Sequence, residues 1–263
     1  MTLLSANGKA KHQPPHPLTI SLTFDDGSSE QYAVRSILLE HSMRATFYIS
    51  SGAVGMPGCM SWDQLAELAA DGNEIGGQTV DHVKLTTLSA SEATRQIADD
   101  RQALMRHGFT VTNFAYPYGD HNPSIEAIVE ACGYSSARRA WGLSPIDKTR
   151  PNCHRWYPDV AETNPPVNRY AIRTIGLGAR KTVTELENLV TRAERNGGGW
   201  VTLLFHHVGY SNDAGNGYFV GLVVLRRFLE WLERRADRGT RVLTVRDALA
   251  DDVGRRSLVE VAR

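Results

Sequence analysis

The chain has 263 residues, and its 29 Lys and Arg balance 29 Asp and Glu, so the formal net charge is zero. That balance argues against a dedicated nucleic-acid binder, which carries a basic stripe, while 41% hydrophobic and 22% charged residues suit a folded globule and exclude a disordered chain. A chain of this size buries about three quarters of its unfolded surface without a disulfide scaffold, and Cys59, Cys132 and Cys153 are too few and too dispersed to form one.

Residues 1–17 read as a flexible arm, because Pro14, Pro15 and Pro17 block both helix and ladder bonding. The arm holds no apolar run of leader or membrane-span type, so the expectation is a cytoplasmic chain with no membrane partner, a mature secreted form being the alternative. Leu18 to Phe24 alternates apolar and β-branched polar residues and predicts a strand that ends in Asp25-Asp26-Gly27. A helical spacing follows over 30–43, then a short strand over 45–49. Ser61 caps a helix that Gly72 stops, and Glu74 to Gly77 is a brief strand. A helix opens at Ser89 to Glu92 and closes at Gly108. Phe114-Ala115-Tyr116 is a strand broken by Pro117, and a helix runs from Ser124 to Cys132. Residues 142–169, rich in Pro, Asn and Asp, predict an irregular excursion. A helix over 184–196 leads to Trp200–Phe205, the most apolar run of the chain and a buried strand. An amphipathic helix over 222–238, a strand over 242–245 and a short helix over 246–251 complete the pattern, with a frayed tail over 255–263.

Strands alternating with helices of this length predict βαβ units and a parallel sheet. One domain over 18–254, closed as a (β/α) barrel, accommodates about seven such units, and barrels carry their reactive groups at the C-terminal ends of the strands. Three such ends are polar: Asp25 and Asp26, then His82, then His206 and His207. Adjacent carboxylates repel unless a cation or a proton lies between them. One can therefore ligate a metal while the other serves as a base; the plain alternative is a solvated Asp-Asp-Gly turn. A histidine pair emerging from a buried strand points to the barrel mouth. Tyr116-Pro117-Tyr118-Gly119 presents backbone N–H groups and an aromatic ring there, as an oxyanion site or a sugar-stacking wall requires. His121 and His154 lie in loops where they can line the cleft. Trp141, Trp156 and Tyr157 can cap it, and the Gly- and Asn-rich stretch from Gly209 to Gly221 can close over it.

Thr23-Phe24-Asp25-Asp26-Gly27, Glu74 to His82 with Leu85 to Ser89, Phe114 to Gly119 and Leu204 to His207 occur in this order. Together they resemble the motifs of the polysaccharide deacetylases of the NodB-homology class, carbohydrate esterase family 4, over residues 18–250. The resemblance implies a distorted (β/α)7 barrel, a divalent metal that is usually zinc, with cobalt or nickel as alternatives, and removal of an N-acetyl group from an amino sugar. It implies Asp25 as general base, Asp26 and His82 as metal ligands, and His206 as the acid for the leaving amine. The Tyr118 N–H is implied to hold the oxyanion, with Pro117, Gly119, His207 and Trp141 on the substrate side. Two departures stand out. Gln78 occupies the place of the family's first ligand histidine, and a neutral amide oxygen is a weaker zinc ligand than imidazole. This leaves open an active variant with a weakened metal site, an inactive carbohydrate-binding homologue, or a substrate-trapping substitution; a deacylase of non-sugar amides is a further alternative. Ala115 stands where the family often carries an arginine that orients the base, and Arg155 and Arg173 are the candidates to replace it.

Overall fold

Seven short strands form and close on one another in the computed structural model, which describes residues 17–143, 159–177, 181–209 and 218–251. They are β1 (Leu18–Phe24), β2 (Thr46–Ile49), β3 (Glu74–Gly77), β4 (Asn113–Ala115), β5 (Ser136–Gly142), β6 (Ile172–Gly176) and β7 (Gly199–Phe205). Each pairs in parallel with the next, and β7 returns to β1 in a continuous register from Leu18 opposite Gly199 to Phe24 opposite Phe205. The barrel is distorted. β3 and β4 pair only at Gly77 and Phe114, and the register between β5 and β6 slips between Arg138 and Gly142. Beyond the barrel, β8 (His207–Gly209) pairs with β9 (Phe219–Gly221), and β10 (Arg241–Val242) lies along Thr19 and Ile20 of β1.

The helices that cover the barrel start where capping chemistry places them. Ser61 and Gln64 form a capping box at the head of α2 (Trp62–Ala70), and Thr182 and Glu185 form another at α5 (Val183–Arg195). Ser89 caps α3 (Ala90–Arg106) and Asn122 caps α4 (Pro123–Ala131). The helical spacing over 30–43 resolves into a 3₁₀ turn, Ser29–Ala33, and α1 (Val34–Glu40). Leu222–Glu233 forms α6, which ends before the expected Arg238.

Strand alternation splits the barrel into two chemistries. The outward positions of β1 are Leu18, Ile20, Leu22 and Phe24, all buried beneath the helices; Phe24 stacks between Phe47 and Phe205, with ring centroids 4.9 and 5.0 Å away. The inward positions are polar. Trp200 Nε1 donates to Ser21 Oγ at 3.0 Å. Glu74 accepts from Thr46 Oγ1 and from the Arg246 N–H, both at 2.9 Å, and from Asn113 Nδ2; Asn113 in turn accepts from Ser136.

This polar lumen explains the elements that the sequence pattern misses. β5 reads Ser-Ala-Arg-Arg-Ala-Trp-Gly, with no apolar alternation, because Ser136 and Arg138 face inward. β6 likewise begins where an irregular stretch was expected to give way to a helix. The strand expected over 242–245 stops at Val242, because Thr244 Oγ1 accepts the Asp247 N–H at 3.1 Å and caps a helical segment over 245–251. The arm before Pro17, the 255–263 tail, Cys153, His154, Arg155, Trp156, Tyr157 and residues 210–217 lie outside the described residues. No helix among the described residues is long and apolar enough to cross a membrane.

Gly77 ends β3 at a crowded point of the wall. A Cβ there would strike Tyr134 Oη and lie 2.6 Å from Asp100 Oδ2. Gly77→Ala is expected to lower the unfolding free energy by about 1–3 kcal/mol, the usual cost of overpacking, as read by urea denaturation.

Candidate active site

The site forms at the C-terminal mouth of the barrel, where β1, β3, β4, β5 and β7 deliver their last residues. Asp25 follows β1 in phase with the inward positions. Its carboxylate is 3% exposed and is gripped through Oδ1 by Arg138 Nη2 from β5. The Arg138 guanidinium lies 4.4 Å from the centroid of the Tyr48 ring and is itself buried. Burial pulls Arg138 down to about 9, so it remains a cation at neutral pH beside the carboxylate. The arginine that orients Asp25 is thus Arg138, one strand over from the position left empty by Ala115. Arg173, one of the two expected replacements, is bound instead by Glu162 at 2.7 Å and Asp159 at 2.5 Å.

Asp26 turns away from the strand in the left-handed region, at φ 71°. It meets the β3 exit. Gln78 Nε2 donates to Asp26 Oδ1 at 2.9 Å, and the Asp26 N–H donates to Gln78 Oε1 at 3.0 Å. His82 Nε2 lies 3.1 Å from the same Asp26 Oδ1. Burial pushes the Asp26 carboxyl up, but the hydrogen bond and charge of His82, the charge of His206 and the bond from Gln78 outweigh it and hold the group below its ordinary value.

These contacts test whether a metal ion fits. Asp26 Oδ1 and His82 Nε2 lie 3.1 Å apart, a little closer than the roughly 3.4 Å between two ligands of a tetrahedral ion with bonds of about 2.1 Å, and both are ligand types that fit. Gln78 fits only if its carboxamide turns over. As it stands, its NH₂ faces Asp26 and its oxygen is taken by a backbone N–H, and the two complementary bonds fix that orientation. Among the described residues no cluster of three or more His, Cys, Asp or Glu side chains is placed to hold a metal.

His206 and His207 part company. His206 is largely buried, and its Nδ1 has no hydrogen-bond partner among the described residues. Burial pushes its pKa down; Asp26 opposes that shift, and Arg138, His207 and His82 add to it. His207 starts β8, half-exposed, with Nδ1 2.7 Å from Glu30 Oε1. The β4 exit presents Tyr118 at φ 58°, 59% exposed, its ring edge-on to His82 at 4.7 Å. The Tyr118 N–H donates to no other group among the described residues. Pro117 is buried and Gly119 packs against the Ala140 backbone; these two shape the turn that presents Tyr118 rather than the open surface. Trp141 lies flat on Gly176 and faces Tyr218 across 6.3 Å, and Tyr218 is 5.1 Å from the His206 ring. His121 pairs with Glu126 at 2.8 Å and stacks on Tyr116.

Three supports escaped sequence reasoning: Arg138, Gln31 and Asp100. Gln31, on the turn Ser29–Ala33, donates from Nε2 to the carbonyls of Asp25 and His206. Asp100, buried on α3, accepts the N–H of Ser51 at 2.9 Å and of Gln78 at 3.0 Å. Burial lifts Asp100 to about 7, against the pull of those N–H bonds. No spacing pattern announces these residues; the only signal is a polar side chain at a position the fold buries.

Residues 12–137 match the family model described as Polysaccharide deacetylase. YxkH of Bacillus subtilis is 28% identical over 147 residues, 52% of this chain and 52% of YxkH. The peptidoglycan-N-acetylglucosamine deacetylase PgdA of Listeria monocytogenes is 31% identical over 110 residues, 40% of this chain and 22% of PgdA. The chain therefore spans about half the length of the first and about a fifth of the second. The Xyl-CE4 domain of a multidomain xylanase from the hindgut metagenome of Trinervitermes trinervoides shares the fold, with a TM-score of 0.58 over 90% of this chain and 91% of that domain at 18% identity. By motif order and by the family model over residues 12–137, the chain is similar to the polysaccharide deacetylases, and its barrel has the fold of the Xyl-CE4 domain.

Two measurements probe the supports. Arg138→Met strands a buried carboxylate and is expected to cost about 3–5 kcal/mol; adding Asp25→Asn should restore much of it in a double-mutant cycle by chemical denaturation. For Asp100, the folded pKa exceeds the unfolded one, so the folded state holds the extra proton. Its contribution is full below about pH 4 and is lost as the pH rises through about 7. Wild type should show that decline in unfolding free energy, and Asp100→Asn should lack it.

Proposed function

We propose that this chain is a hydrolase that removes the N-acetyl group from an N-acetylated amino sugar. The observation that carries the reading is the convergence of Asp25, Asp26, His82 and His206 on one barrel mouth, in a chain whose relatives include deacetylases of peptidoglycan and of chitooligosaccharide. Asp25, held ionised and aimed by Arg138, takes the proton from the attacking water. Its grip by a buried cation fixes which oxygen remains for that proton. The Tyr118 N–H receives the carbonyl oxygen in this reading, as charge develops there. His206 delivers a proton to the departing nitrogen, without which an amine leaves poorly. Burial lowers the His206 pKa, and the Asp26 charge, which opposes that shift, favours the imidazolium at that moment. Asp26 and His82, with the Gln78 carbonyl as a third donor once turned, would hold a divalent cation such as zinc, cobalt or nickel. Bound there, the cation would polarise the acetyl carbonyl and acidify water.

The rim suits a sugar. Tyr118 on one side and Trp141 with Tyr218 on the other leave exposed aromatic faces around the histidines, and such faces stack on the apolar face of a pyranose. The zero net charge supplies no long-range field, and a neutral sugar needs none.

A second reading rests on one observation: the Gln78 amide bonds to the Asp26 carboxylate where a ligand lone pair would be needed. It makes the chain a carbohydrate-binding homologue without turnover. The experiment separates the two. Acetate release is measured from N-acetylglucosamine and its oligomers with zinc, cobalt or nickel present, for wild type, Gln78→His and Asp25→Asn. The hydrolase reading expects release by wild type, tighter metal binding and faster release by Gln78→His, and a loss of about 10²- to 10⁴-fold in Asp25→Asn. Sugar binding by calorimetry, with no acetate from wild type or Gln78→His, would establish the second reading.

A further inference from the structure

The ladder between β1 and β7 ends where the Asp25 N–H donates to the Phe205 carbonyl at 3.0 Å. Above that rung the two chains separate. Asp26 turns into the left-handed region, and His207 leaves to form β8. The carbonyls of Asp25 and His206 are then two acceptors facing each other beyond the last rung. Gln31 lies between them. It is fully buried, and its Nε2 donates to the Asp25 oxygen at 2.5 Å and to the His206 oxygen at 2.6 Å. A carboxamide nitrogen carries two hydrogens, one for each carbonyl. The oxygen of the same amide is buried with no hydrogen-bond partner among the described residues. An unpaired buried acceptor is a cost, so the side chain is held there for its NH₂ group. Its neighbour Glu30 takes His207 Nδ1 at 2.7 Å, and the turn Ser29–Ala33 thus grips both histidines.

We propose that Gln31 is a positioning residue that sets the spacing between Asp25 and His206. This rests on the hydrolase reading, in which those two groups must act on opposite sides of one amide. Gln31 touches neither substrate nor reacting atoms. It fixes the backbones from which base and acid project. A displacement of about 1 Å between catalytic groups costs on the order of 100-fold in rate.

The test has an arm that needs no turnover. In wild-type protein, hydrogen exchange of the Gln31 side chain followed by NMR should show both Nε2 protons protected; free exchange of either one overturns the staple. In Gln31→Met, which keeps the length and removes both donors, the carbonyl ¹³C resonances of Asp25 and His206 should both move upfield, and unmoved resonances overturn it. For catalysis, at a temperature where both proteins are fully folded, Gln31→Met should lose 10- to 100-fold in kcat for acetate release with KM within twofold. Gln31→Glu, which sets an acceptor against two carbonyls, should lose more. A kcat for Gln31→Met within twofold of wild type overturns the positioning role. If wild type itself releases no acetate, the hydrolase reading fails, and with it the positioning role, while the exchange and carbonyl-shift arms still decide the staple.

Discussion

The buried pair between Arg138 and Asp25 is the contact on which the mouth of this barrel depends. It spans the lumen from β5 to β1, and both members are almost wholly screened from water. Such a pair is weak evidence of stability, because desolvating two charges offsets much of their attraction. What it supplies is geometry. A carboxylate alone at the end of a buried strand would take up a proton or swing to solvent. Against a guanidinium packed on the Tyr48 ring, it stays charged and points one way. The pair is also the uppermost layer of a polar column whose base is Glu74 with its ring of Thr46, Asn113 and Arg246 donors. Most of the apolar packing is on the outside of the barrel, under the helices, with a smaller cluster of Ile172, Trp200, Val245 and Ala248. That separation lets a charged site sit on the axis without breaking the core.

Gln78 shows the same economy at the β3 exit. A carboxylate flanked by an amide N–H₂ and an imidazole is satisfied without a third charge, and the backbone return bond from Asp26 N–H makes the contact reciprocal. Asp100 holds the loop from behind through the N–H of Gln78. A cation entering the loop has to displace an amide that already has partners. A histidine in that place would offer a lone pair at no such cost.

The parallel barrel, its capped helices and the polar strand ends were legible because each has a local chemical cause: alternation along Leu18–Phe24, a Ser-x-x-Gln box at Ser61, carboxylates and histidines after apolar runs. β5 and β6 were not legible, since periodicity reports apolar faces and the inward face of β5 carries Ser136 and Arg138. The same blindness hid the arginine that holds Asp25. Sequence order looked for it near Ala115 or in later segments, whereas the register sets Arg138 directly opposite Ala115 on the adjacent strand. A guanidinium reaching from there arrives at the same carboxylate. Contacts across a sheet depend on register, and register is a property of the closed barrel, not of any one segment.

Register also settles how two adjacent histidines divide their surroundings. Along β7, Trp200, Thr202 and Leu204 face the lumen, so the phase carries His206 inward and sends His207 outward. His206 therefore shares a space with Arg138 and Asp26 and loses solvent, and that burial lowers its proton affinity, with Asp26 opposing the shift. His207 reaches Glu30 at the half-exposed edge of the two-stranded sheet. The two rings have the same chemistry and opposite environments, and one residue of strand phase separates them. The proposed acid role of His206 suits the first environment, where Asp26 favours the imidazolium and burial opposes it.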